Sequence, residues 1–176
     1  MKFVSGLIIG VVLVPIAFYW YMGSGHAPVA TSAPPMPMEQ VLAKSALHAK
    51  LREEAPKTVP IRADDAVLLA GARIYRDNCA VCHGLPHQPA TAASKGMYPR
   101  PPQLFDTKEM VTDDPAGVTF WKAKNGIRLS GMPGFQASLS DEQLWQVSLL
   151  LAGADKLPAS AQQALTAPPL TGDSSK

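Results

Sequence analysis

Hydrophobic and polar positions along this chain follow two regimes. Phe3 to Met22 is a run of twenty mostly apolar residues without a charge. As a helix it would extend about 30 Å, the thickness of a bilayer core. After residue 62 the pattern turns to helical periodicity. One helix is expected from about Asp65 to Asn78, with Asp64 or Asp65 as N-cap and Leu68, Ala72 and Tyr75 along one face. A second lies in "DDPAGVTFWKAKNG", with Asp114 as cap, Pro115 at the first helical position and Asn125-Gly126 as the stop. A third lies in "SDEQLWQVSLLLAG", where Ser140 and Gln143 form a capping box, Gly153 ends the helix, and Leu144, Val147, Ser148 and Leu151 share a face. No stretch alternates as a half-buried strand does, so the fold class is all-α.

These elements divide the chain into residues 1–22, a membrane anchor; 23–62, a tether; 63–153, a small domain; and 154–176, a flexible tail. The tether is rich in Pro and Ala, with a short helix in "EQVLAKSALHAKLREE", either solvated or resting on a partner or membrane. The tail after Pro158 has little to pack and is expected to fray. Lys2 flanks the apolar run and an aromatic cluster, Phe18 to Tyr21, closes it, so residues 3–22 read as a single-pass span with a cytoplasmic N-terminus. Pro15 is tolerated in such a helix. The rival is a cleaved signal sequence, for which cuts after Ala30 or Ala33 are the imperfect options. Either reading exports the remainder. Basic residues number 16 against 14 acidic ones, which gives no case for nucleic acid. Charges in 63–153 nearly balance, so no strongly lysine-rich docking face is offered.

The chemistry is concentrated in "CAVCHG", residues 79–84, which holds the only two cysteines. A dithiol redox site would place its first thiol at a helix N-terminus within a βαβ frame, whereas Cys79 follows a helical pattern. Zinc could take Cys79, Cys82 and His83 or His87, but structural zinc wants a second ligand pair. Covalent haem attachment uses all three residues: the two thiols as thioethers and the imidazole of His83 on the iron. A domain of about 90 residues buries proportionately little surface, and a covalent haem would supply the missing core.

Residues 63–153 resemble class I, single-haem c-type cytochromes. The resemblance lies in "GARIYRDNCAVCHG", in "MYPRPPQLF" and in "FWKAKNGIRLSGMPGFQASLSDEQLWQVSLLL". It implies a small helical bundle wrapped round one haem c held by Cys79 and Cys82. The first and last helices would cross at Gly71, with Trp145 or its neighbours packed there. His83 is then the proximal ligand. Met132, between Gly131, Pro133 and Gly134, is the expected distal ligand, with Met97 its competitor. The two glycines would let the backbone turn closely over a flat ring, and Pro133 would stiffen it. The carbonyl of Pro102 would accept the other N–H of His83, and Leu104 would pack on the porphyrin. Arg100 and Trp121 are candidate partners for a propionate; Tyr98, Phe120, Ile127 and Phe135 are candidate wall residues.

These residues point to electron transfer by a membrane-anchored monohaem cytochrome in a respiratory-type chain, exchanging electrons with a dehydrogenase or oxidase complex. It would sit in the inner membrane with the haem domain on the periplasmic side. A six-coordinate iron leaves no site for substrate, so an electron carrier is expected rather than an enzyme. The alternatives are a haem enzyme, which would need an open iron face and a distal acid–base group, and a gas sensor with a labile Met132.

Overall fold

The computed structural model describes residues 2–167, and among these the chain forms eight α-helices and no strand. The chain divides after residue 40 into two compact units. In the first, α1 (Lys2–Gly23) runs uninterrupted through Pro15. Its window Gly6–Gly23 is long and apolar enough to cross a membrane, and none of it is buried. At its end the Ser24 hydroxyl donates to the Tyr21 carbonyl at 2.8 Å, satisfying one of the orphan carbonyls of the last turn.

The second unit begins within α2 (Glu39–Glu54). Its principal helices are α3 (Asp65–Asn78), α6 (Ala116–Asn125), α7 (Asp141–Ala152) and α8 (Ala159–Thr166), with α4 (Ala80–His83) and α5 (Ala92–Lys95) as single turns. The caps explain the boundaries. The Asp64 carboxylate accepts from Val67 N–H at 2.9 Å, and the reciprocal Ser140–Gln143 box is complete. Gly126, at φ 71°, closes α6. At the other end of α6 the expectation needs a correction: Pro115 is extended and stands as the N-cap itself, with its carbonyl accepting from Val118 N–H at 2.8 Å.

Helix α3 packs against both α7 and α8, while α6 packs against α7. The α3–α7 crossing is set by Gly71, where an added Cβ would overlap the Gln146 carbonyl oxygen and lie 3.2 Å from Leu150 Cβ. Gln146, the neighbour of Trp145, therefore stands closest at the crossing. Trp145 stacks on Phe120 instead, with centroids 4.2 Å apart. One apolar cluster joins Ala72, Tyr75, Leu104, Val147 and Leu150 with Leu157, Ala161 and Leu165; a second joins Phe120, Leu144 and Trp145.

Two segments outside the expected domain pack onto it. Ala161 and Leu165 of α8 are completely buried, and Arg76 of α3 donates to the Ala164 carbonyl at 3.1 Å. Residues 159–166 are thus a packed helix where a flexible tail was expected, because α3 offers them an apolar surface. The rest of that tail, 168–176, lies outside the described residues. At the other border, Leu51 is buried and Ile61 packs on the Phe120–Trp145 cluster. The Pro56 carbonyl fits against Gly117 where a Cβ would overlap it. The last part of the expected tether is therefore built into the unit.

Candidate functional site

Tyr75 organises the turn that bears Cys79, Cys82 and His83. Completely buried near the end of α3, it donates its hydroxyl to the carbonyls of Gly84 at 2.8 Å and His83 at 3.1 Å. Its ring meets Phe105 edge-on at 5.1 Å. Burial, and then the neighbouring Cys79, raise its pKa, so the hydroxyl stays a donor. Backbone bonds from Cys82 and His83 to the Cys79 carbonyl, at 3.1 and 2.9 Å, wind the chain through α4. Gly84 then reverses it at φ 73°, in a space that Gln103 Oε1 would deny to a Cβ.

The segment after Pro101 closes over this turn from the opposite side. Leu104 N–H donates to the His83 carbonyl at 3.2 Å. The His83 Nδ1 lies 2.8 Å from the Pro102 carbonyl oxygen. A carbonyl brings no proton, so Nδ1 is the donor and Nε2 carries the free lone pair. Burial lowers the His83 pKa and the Pro102 carbonyl opposes that in part. The neutral ring is the form that binds a metal.

Both cysteines are half-buried free thiols. Burial, with Cys82 beside it, pushes the Cys79 thiol up to about 12, so it is protonated at neutral pH. Among the described residues, no three His, Cys, Asp or Glu side chains converge as a metal-binding group.

Gln103 is the residue that sequence reasoning missed. Its Nε2 faces the carbonyls of Cys82 at 3.2 Å and Pro101 at 3.2 Å, and Ser94 Oγ at 3.0 Å, while its Oε1 is buried without a partner. It ties α4, α5 and the proline segment together. Only its place between Pro102 and Leu104 hinted at this.

Met132 is half-buried in a loop, 126–135, whose ends are stitched together. Ile127 N–H donates to the Met132 carbonyl at 3.1 Å and Phe135 N–H to the Ala123 carbonyl at 2.9 Å. Met132 N–H donates to Ser130 Oγ at 3.2 Å. The glycines serve this closure rather than clearance alone. A Cβ at Gly126 would stand 2.6 Å from Gly134 N, and one at Gly134 would stand 2.8 Å from the Asn125 carbonyl. Gly131 faces the methyl end of Met97, so the two methionine segments meet there.

The remaining candidates divide. Leu104 is buried beneath the His83 turn. Arg100 is exposed at the rim of a cavity of about 360 Å³ that His83, His87, Gln103 and Asp106 also line. Trp121 gives its indole N–H to the Glu54 carboxylate at 3.0 Å, so the donor expected for a propionate is already engaged. Phe120 and Phe135 belong to the cluster between α6 and α7.

The donor set fits haem c: two adjacent free thiols, and an imidazole whose Nδ1 is committed and whose Nε2 is free. Residues 66–149 match the model of a family described as cytochrome C oxidase, cbb3-type, subunit III. No curated protein matches the chain.

Proposed function

Taking as premise that residues 66–149 of this chain are a c-type cytochrome domain, we propose that the protein is a membrane-tethered electron carrier serving a respiratory oxidase complex. The observation that carries this reading is the 2.8 Å bond from His83 Nδ1 to the Pro102 carbonyl. It fixes the tautomer and the ring plane, leaving a single oriented donor. Haem c, bound through Cys79 and Cys82, would supply an iron that alternates between ferrous and ferric states.

The residues of the chain then divide the work. Tyr75 and Gln103 hold the peptides on either side of His83, so the imidazole need not reorganise when charge changes. Pro102, as acceptor, raises the basicity of the ring. Met132 would hold the iron together with His83, where its soft thioether would favour the reduced metal and discourage binding of substrate. Leu104 covers the proximal side. Arg100 is the remaining candidate for a propionate.

With α1 as a single-pass anchor, the domain would lie on the periplasmic side and remain close to membrane-bound donors and acceptors. The family described as a cbb3-type oxidase subunit supports an oxidase complex as the partner.

The test is spectroscopic. The purified holoprotein should keep its porphyrin after acidified organic solvent and show a six-coordinate low-spin spectrum in both oxidation states. It should bind carbon monoxide poorly. Rapid carbon monoxide binding by a five-coordinate ferrous form would replace this reading with that of a haem enzyme or gas sensor. Loss of all porphyrin to the solvent would remove the covalent attachment.

A further inference from the structure

Met97 and Met132 are 35 positions apart in the chain, yet the structure brings the first against the loop that bears the second. Gly131, next to Met132, has its Cα turned toward Met97. An added Cβ would overlap Met97 Cε and stand 3.5 Å from Sδ and 3.9 Å from Cγ. The end of the Met97 side chain therefore fills the space that a side chain at 131 would need. Met97 itself is half-buried and lies just past Gly96, the C-cap of α5. That turn is anchored, because Thr91 caps α5 and gives its own hydroxyl to the Val81 carbonyl at 2.6 Å. The buried Ser94 of α5 is bonded to Gln103. A continuous path thus leads from the His83 turn, through Ser94 and α5, to Met97 and Gly131.

The loop's own bonds tie it to itself, with the Ser130 N–H and hydroxyl both donating to the Ile127 carbonyl, at 3.1 and 2.6 Å. Its stitches, Ile127 N–H to Met132 O and Phe135 N–H to Ala123 O, close its base. At its outer end Leu129 is 93% exposed at φ 60°. A buttress there would need to be flexible, apolar and shaped to the irregular gap left by a glycine, which is what a methionine supplies.

We infer that Met97 is a positioning residue for Met132: its methyl end, seated on Gly131, holds the Met132 loop in the conformation that presents the second axial sulfur. This rests on the assignment of Met132 as ligand and is tested separately from it. Met97 acts through the loop and does not itself bind iron.

The experiment uses the full-length holoprotein in the ferric state and two readouts besides electron transfer. One is the far-red sulfur-to-iron charge-transfer band. The other is the rate at which imidazole displaces the protein ligand. Met132→Ala should abolish the band. Met97→Ala should retain the band and speed displacement about tenfold, the scale on which supporting residues influence a metal site. Met97→Leu, which refills the gap, should restore most of the wild-type rate. Gly131→Ala should behave like Met97→Ala, and adding Met97→Ala to it should bring no further acceleration, since the Cβ and the methyl compete for one space.

Wild-type displacement rates in both Met97→Ala and Gly131→Ala, with the band still lost in Met132→Ala, would overturn the positioning role and leave the ligand assignment standing. Loss of the band in Met97→Ala and its retention in Met132→Ala would make Met97 the ligand and overturn both. If Met97→Ala yields no holoprotein, Met97→Leu and Gly131→Ala decide the matter: a wild-type rate in Gly131→Ala defeats the proposal.

Discussion

The two proposed ligand regions are built differently. His83 is held by side chains and backbone from two places in the chain, the end of α3 and the segment 102–104. Tyr75 and Leu104 donate to its carbonyl, the Pro102 carbonyl accepts from its ring N–H, and Gln103 fastens the preceding residue. Met132 is held by a loop whose closure depends on what is missing: Gly126 and Gly134 approach backbone so closely that a methyl group would intrude. The first region resists movement through hydrogen bonds converging on a buried tyrosine. The second is held at its base by backbone bonds and at its tip by bonds within the loop and by Met97 against Gly131. Were these two side chains to hold the iron, one ligand would be fixed by residues remote in sequence and the other by its own loop.

The strongest way to break the comparison is through α8, which packs on the helix leading into the His83 turn. Leu165→Ala should cost roughly 2–5 kcal/mol, as for a large-to-small change at a fully buried site, and a thermal melt should show it. Its ferric spectrum at low temperature should remain that of wild type. A lost charge-transfer band with an unchanged melt would mean that α8 supports the methionine side instead.

Gly134→Ala should reverse that pattern. Overpacking of this kind costs about 1–3 kcal/mol, and here it falls on the backbone of Asn125. The band should weaken or vanish while the haem stays covalently attached and His83-ligated, a distinction that carbon monoxide binding would report.

Tyr75→Phe sharpens the comparison from the other side. Removing the hydroxyl leaves the Gly84 carbonyl without that donor, at a cost of about 1–2 kcal/mol, read by denaturant titration. The volume is nearly conserved, so the methionine band should persist. Covalent haem content, measured after acid extraction, is expected to fall before the Met132 signal changes.

The smallest effect is expected at Glu54, an exposed partner of both Lys50 and Trp121. Glu54→Gln can still accept from the indole. It should leave the melt within experimental error and the haem spectrum unchanged, because exposed ion pairs contribute little. A marked spectral change would connect the region around Trp121 to the haem.

Much of this organisation was legible because it is written in local chemistry. Asp64, the Ser140–Gln143 pair and Gly126 mark helix ends through bonds made within a few residues. The Cys79–Cys82–His83 spacing is likewise local, while the Pro102 carbonyl, 19 residues from His83, was expected only through the family resemblance of its segment. What escaped is tertiary. In α8, Ala161 and Leu165 carry too few large side chains to announce a packed helix, and it is the surface of α3 that gives them a partner. Pro56 looked like part of a linker because nothing near it says that Gly117 leaves a place for its carbonyl. Gln103 acts through three acceptors contributed by separate segments, a convergence that no sequence window contains. At Gly134 the backbone of Asn125 lies where a Cβ would stand, a tertiary approach that the local sequence does not announce.

The docking of residues 51–61 also shortens a leash. With α2 helical and its end built into the second unit, the chain between the apolar helix and α2 is residues 24–38. Fully stretched, that span reaches about 50 Å, against about 135 Å if residues 23–62 were all extended. Were the apolar helix a membrane anchor, a carrier on the shorter leash would meet a neighbour in the same membrane more often. Its choice of partner would then be governed as much by reach as by recognition.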